Sequence, residues 1–213
     1  KNLDYDIEKS FIPVAMIASV PQVLVVNPQR VSARNTKEFI ELMKKNPGKY
    51  NFASAGSGTV HHLAGELFKI QTGTFITHIP YRGAGPAMND LLAGQIDLEF
   101  DGLATSAPQI NAGKLVAIAL ASNKRSSAVP NVPTFKEAGL PDYEVSTWYS
   151  IFAPAGTPKP IVDKMIAEVQ KALNTPKLKA IWEKSGSDAP NMYGEAFGKQ
   201  VRADVARWSG VVK

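Results

Sequence analysis

An α/β fold follows from the way strand-like and helix-like patterns alternate along the chain, an order that builds sheets with largely parallel pairing. Glycine or proline marks the points where one pattern hands over to the next. The 213 residues are 44% hydrophobic and 20% charged, the make-up of a chain that buries a core. Such a length accommodates one large domain or two modest lobes.

The first strong strand is Val20 to Val26, closed by Asn27-Pro28. Asn35 then reads as a helix N-cap, with Glu38 three residues on completing a capping box. That helix carries Phe39, Ile40, Leu42 and Met43 and stops near Pro47-Gly48. A strand around Tyr50 to Ala53 enters the glycine loop Ser54-Ala55-Gly56-Ser57-Gly58-Thr59. The next helix runs from about Thr59 to Gln71, with Leu63, Leu67 and Ile70 at helical spacing and Gly73 as its stop. The strand Phe75 to Pro80 feeds Tyr81-Arg82-Gly83-Ala84-Gly85, and Pro86 suits the first turn of a helix ending at Gly94. Ile96 to Phe100 is a strand ending in Asp101-Gly102, followed by a short helix, Thr105 to Ala112, and an apolar strand, Leu115 to Ala121. Residues 123–133 read as a surface loop, and Tyr143 to Ala153 as a long β-rich run. Three helices close the chain, the first with an apolar stripe at Ile161, Met165, Val169 and Leu173.

Composition excludes several classes of function. There are no cysteines, hence no disulfides, thiol nucleophiles or cysteine metal sites. No apolar run approaches the roughly 18 residues that a membrane span needs. The net charge of +5 is scattered, with no basic run longer than a pair such as Lys44-Lys45 and no interleaved aromatics, so nucleic acid is not an expected partner. The N-terminus, Lys1 to Asp6, carries no charged-then-apolar export signal.

Three connections each follow a strand and precede a helix: Ser54 to Thr59, Arg82 to Pro86, and Asp101-Gly102. In open parallel sheets such connections gather outside the carboxyl ends of the strands, where ligands bind. Gly56, Gly58 and the first helical N–H groups can approach an anion closely, with hydroxyls from Ser54, Ser57 and Thr59 beside them. The same residues also suit a plain glycine turn with Thr59 as N-cap. Tyr81-Arg82-Gly83 adds a cation and an aromatic wall, or a solvated loop charge. Asp101 could hold a ligand hydroxyl or ammonium, or cap the following turn. The loop is neither a Walker motif nor a nucleophile elbow. His61, His62 and Glu66 invite a metal reading, yet the order is not His-Glu-x-x-His and no third ligand follows, so no metal is expected. With His78 as the remaining histidine, no catalytic constellation assembles.

Ser54 to Glu66 and Ile79-Pro80-Tyr81-Arg82-Gly83-Ala84-Gly85-Pro86-Ala87 closely resemble two segments of the tripartite tricarboxylate transporter receptor family, the Bug proteins. Asp90 to Ile96, Ala112 to Leu115, Val132 to Pro141 and Trp148 to Pro158 extend the likeness along the chain. The resemblance implies a periplasmic binding protein-like fold of type II, a Venus flytrap whose two lobes are joined by two crossover strands. It implies a receptor, not an enzyme, with no cofactor. Its cargo would be a small organic anion such as a di- or tricarboxylate, an amino acid or an aromatic acid, delivered to membrane permease subunits. The implied location is the periplasm. The ligand residues carried over are Ser54, Gly56, Ser57, Gly58, Thr59, Tyr81, Arg82, Gly83 and Asp101.

The likeness starts in the middle of the family pattern, at Leu3 to Val14. About one hundred further residues, a size typical of one compact unit, usually precede it. The first lobe is therefore expected to be incomplete, made of residues 1–27 and 146–213, with residues 28–145 forming the complete second lobe. The C-terminal helix face of Ile161, Met165 and Val169 would then be exposed, paired or disordered. A competing reading is the ligand-sensing domain of a transcription regulator, which shares the flytrap design and would need a helix-turn-helix.

Overall fold

The computed structural model describes residues 4–187 and 191–211; Leu3, where the family likeness begins, lies outside them. The chain divides into two compact units, Lys1–Ser19 with Trp148–Lys213, and Val20–Thr147. No helix among the described residues is long and apolar enough to cross a membrane.

The Val20–Thr147 unit is built on five strands. In chain order they are the second half of β1 (Phe11–Val26), β2 (Asn51–Ser54), β3 (Thr77–Pro80), β4 (Leu98–Gly102) and β5 (Val116–Leu120). Their order across the sheet is β3-β2-β4-β1-β5. β2 runs parallel to β3 and β4, as the alternating pattern predicts. β1 departs from that prediction, pairing antiparallel with both β4 and β5. Val23 to Val26 are all fully buried. A strand covered on both faces reads as a continuous apolar run whichever way it points, so the pattern carries no direction.

Four helices accompany these strands: α1 (Thr36–Lys45), α2 (Val60–Thr72), α3 (Ala84–Leu92) and α4 (Leu103–Asn111). α1 begins on the expected cap, Asn35 Oδ1 accepting from the Glu38 amide at 3.0 Å, and it buries Phe39 and Met43. α2 is rotated from its expected phase. Ile70 is 64% exposed, and the buried face is Ala64, Gly65, Leu67 and Phe68. Gly65 explains the rotation, because a Cβ there would lie 2.5 Å from Phe52 Cζ. Only a bare Cα lets α2 settle this close to β2. The resulting core joins Phe39, Phe68, Phe100, Phe135 and Tyr143 through edge-to-face and tilted ring contacts.

In the other unit the first half of β1 pairs with β6 (Ser146–Pro154) and β7 (Met192–Tyr193). The helices here are α5 (Lys159–Leu173), α6 (Pro176–Ser185) and α7 (Gly194–Val211). Val14, Ala15, Ala153 and Val162 form a core against which Met165, Ile166 and Val169 pack. The α5 stripe is thus shifted from the predicted one: Ile161 is 52% exposed and Val162 takes the inward position. Met16, Phe197 and Val201 form a second cluster with Trp148 and Phe152, and Trp148 donates to Asp204 at 2.7 Å.

Candidate functional site

Because β2, β3 and β4 are parallel, the loops at their carboxyl ends share one edge of the sheet. The Ser54–Thr59 and Tyr81–Gly83 loops are tied directly: the Tyr81 amide donates to Ser54 O at 3.0 Å and the Gly83 amide to Ala55 O at 3.1 Å. Gly58 and Gly83 have φ of 82° and 110°, a left-handed backbone that a side chain would strain.

Ser54 is fully buried and works inside the loop. Its Oγ lies 2.6 Å from His78 Nε2 and 3.1 Å from both the Gly56 carbonyl oxygen and the Gly56 amide nitrogen. The single hydroxyl proton satisfies Gly56 O when His78 carries its own proton on Nε2 and donates it to Oγ. His78 stacks on His62 with ring centroids 3.8 Å apart. Burial, and secondarily the neighbouring His62, push the His78 pKa down to about 4, so the ring is neutral. His62 in turn accepts from the Gly58 amide through Nδ1 at 3.1 Å. This histidine stack beneath the loop was not assigned from the sequence, although each member was visible in it.

Thr59 occupies the N-cap position of α2, but its side chain does not cap. Its Oγ1 donates instead to Gly56 O at 2.7 Å. The first intrahelical bond runs from the Leu63 amide to Thr59 O. The Val60, His61 and His62 amides therefore have no acceptor among the described residues. Unpaired amides at the positive end of a helix dipole attract anions. Ser57 and Arg82 are exposed, and Arg82 has no hydrogen-bond or ion-pair partner among the described residues. Tyr81 commits its hydroxyl to Asp90, donating to Oδ2 at 2.7 Å. Burial and then that bond hold its pKa up at about 12, so it stays a donor.

Asp101 is 1% exposed and committed internally. Its Oδ2 accepts from the Thr105 and Ser106 hydroxyls, the latter at 2.6 Å, and its Oδ1 lies 3.8 Å from His61 Nε2. The opposite ring nitrogen, His61 Nδ1, sits 3.2 Å from Glu99 Oε1. Glu99 is fully buried, and its Oε2 has no hydrogen-bond partner among the described residues. Glu99 was not singled out from the sequence, though three carboxylates at alternate positions, Asp97, Glu99 and Asp101, between buried apolar residues were the available signal. Of the residues weighed for a metal, His62 and Glu66 do share a face at 3.6 Å. His61 leaves them for β4, where the ligand atoms of His61, Glu99 and Asp101 lie within 4.8 Å of one another.

The site thus presents free amides, glycine backbone and a loose guanidinium at one sheet edge, over a buried polar layer. The profile of the tripartite tricarboxylate transporter family receptor matches residues 1–213. The chain belongs to that family. A member from Pseudomonas sp. (strain P51), the UPF0065 protein of the tcbD-tcbE intergenic region, is 37% identical over 98% of this chain. The chain spans 62% of that relative's length. A solved periplasmic transporter superposes with a TM-score of 0.91 at 43% identity, covering all of this chain and 70% of its own. MatC from Rhodopseudomonas palustris, solved with bound malate, gives a TM-score of 0.89 at 32% identity, covering 100% of this chain and 73% of its own. The receptor-family chain has the type II binding-protein fold of these neighbours.

Proposed function

We propose that the protein is an extracytoplasmic solute-binding receptor. It captures a small carboxylate-bearing organic anion and delivers it to the membrane permease of a tripartite tricarboxylate-type transporter. One observation carries the reading: the first turn of α2 is left uncapped beside the unpaired Arg82. A carboxylate accepting from the Val60, His61 and His62 amides would satisfy donors that the fold leaves open, and Arg82 would add a charge-assisted bond. Ser57, Gly56, Gly58 and Gly83 would shape the approach, while Ser54, Tyr81 and Asp101 would hold the loops from below. The malate bound to MatC fits such a ligand class.

Isothermal titration calorimetry with malate, succinate and adipate tests the reading. Arg82→Ala is expected to weaken the best ligand by about ten- to a hundredfold, since hydrogen bonds to charged groups contribute about 1.5–3 kcal/mol. Thr59→Ala should weaken it less, because that hydroxyl already serves Gly56. Unchanged affinity in Arg82→Ala would show that the anion docks elsewhere.

A further inference from the structure

We infer that His62 is a positioning residue for the anion site: its Nδ1, kept beneath the glycine loop by stacking on His78, pins Gly58 and so fixes how the first turn of α2 is presented. The inference rests on the receptor reading for its ligand, but its structural half stands on the hydrogen bond and the ring geometry.

The loop is fastened from beneath at two points. The Gly56 carbonyl oxygen accepts from the Ser54 and Thr59 hydroxyls and from the Thr59 amide at 3.2 Å. The Gly58 amide donates to His62 Nδ1 at 3.1 Å. Gly58 is exposed, and a Cβ built there would meet nothing within 4 Å, so this turn has no packed cover among the described residues. The bond resembles half of a capping box, in which the third helical residue reaches back to the N-cap amide. Here the third residue reaches one place further, past Thr59 to Gly58, and therefore ties down the loop rather than the helix.

Neighbouring rings keep His62 in place. It stacks on His78 with 3.8 Å between centroids and 10° between planes, and the Phe52 ring lies 4.9 Å beyond His78. Phe52 is also the side chain that Gly65 admits against α2. Phe52 and His78 are register partners on β2 and β3, so the three rings join β2, β3 and α2. These are the elements whose ends carry Ser54, Arg82 and the free amides. An amide that donates to Nδ1 requires a lone pair there, which places the ring proton of His62 on Nε2. Donors fixed in place before the ligand arrives lower the ordering cost of binding.

The test combines nitrogen NMR of the wild-type His62 ring with calorimetry and urea unfolding of two variants, using malate, succinate and adipate as probes. His62→Asn keeps an acceptor bonded to Cγ, where Nδ1 stands, and removes the ring. His62→Phe keeps a ring for the stack and removes the acceptor. In the wild-type protein Nδ1 should be unprotonated and show scalar coupling to the Gly58 amide across the hydrogen bond. Affinity in His62→Phe should fall about three- to tenfold, the size of one neutral hydrogen bond. His62→Asn should bind more tightly than His62→Phe although it lacks the ring contact and unfolds at lower urea, an order that a purely structural role would reverse. A proton on Nδ1 would overturn the positioning role alone, as would wild-type affinity in His62→Phe or no recovery in His62→Asn. Failure of all three acids to bind the wild-type protein would instead overturn the receptor reading, and the positioning role with it.

Discussion

Two helix starts in the same unit, α1 and α2, are treated in opposite ways. Asn35 caps the Glu38 amide of α1, and Glu38 reaches back to the Arg34 amide at 2.8 Å and to the Asn35 side chain at 2.7 Å. Thr59 stands at the equivalent place in α2 and turns its hydroxyl to Gly56 O, away from the helix. α3, α4, α5 and α6 also lack a side-chain cap, and in α3, α5 and α6 the prolines Pro86, Pro160 and Pro176 each remove a donor from the first turn. α2 has no such proline, and neither does α4, whose start lies at the same carboxyl edge of the sheet, so the open amides gather where the strand-to-helix loops do. On the proposed reading, the start of α1 is closed by its own side chains and that of α2 is left for the ligand to close.

Substitutions can break or sharpen this contrast. The largest effect is expected at Gly65, where a Cβ has no room against the Phe52 ring. Gly65→Ala should cost roughly 1–3 kcal/mol of unfolding free energy, read by urea denaturation, and should displace α2 enough to weaken the ligand too. Asn35→Ala should cost about 1 kcal/mol in the same measurement and leave ligand affinity unchanged. If Asn35→Ala altered affinity as much as stability, the division between a structural and a binding helix start would fail.

The sequence made the local parts of this picture legible. Asn35 and Glu38 announce a cap because the chemistry lies within one turn. Gly56, Gly58 and Gly83 announce loops because few other residues tolerate their backbone. What could not be read is what depends on phase, direction or distant partners. The apolar spacing of α2 pointed to Leu63 and Ile70, but Gly65 sets the helix rotation through its contact with Phe52. The run Val23 to Val26 hid an antiparallel strand. Ser54 and Asp101 each admit a ligand role or a turn role in the sequence, and both are buried and occupied with internal bonds. Their partners, His78 and His61, lie far from them in sequence.

The central claim is that the open turn of α2, with Arg82, receives the carboxylate. Amide NMR during a malate titration tests it most directly. The account predicts that the Val60, His61 and His62 amides and the Arg82 side chain shift in proportion to occupancy while the first-turn amides of α1 stay still. Saturable binding that leaves the α2 amides unmoved would contradict it.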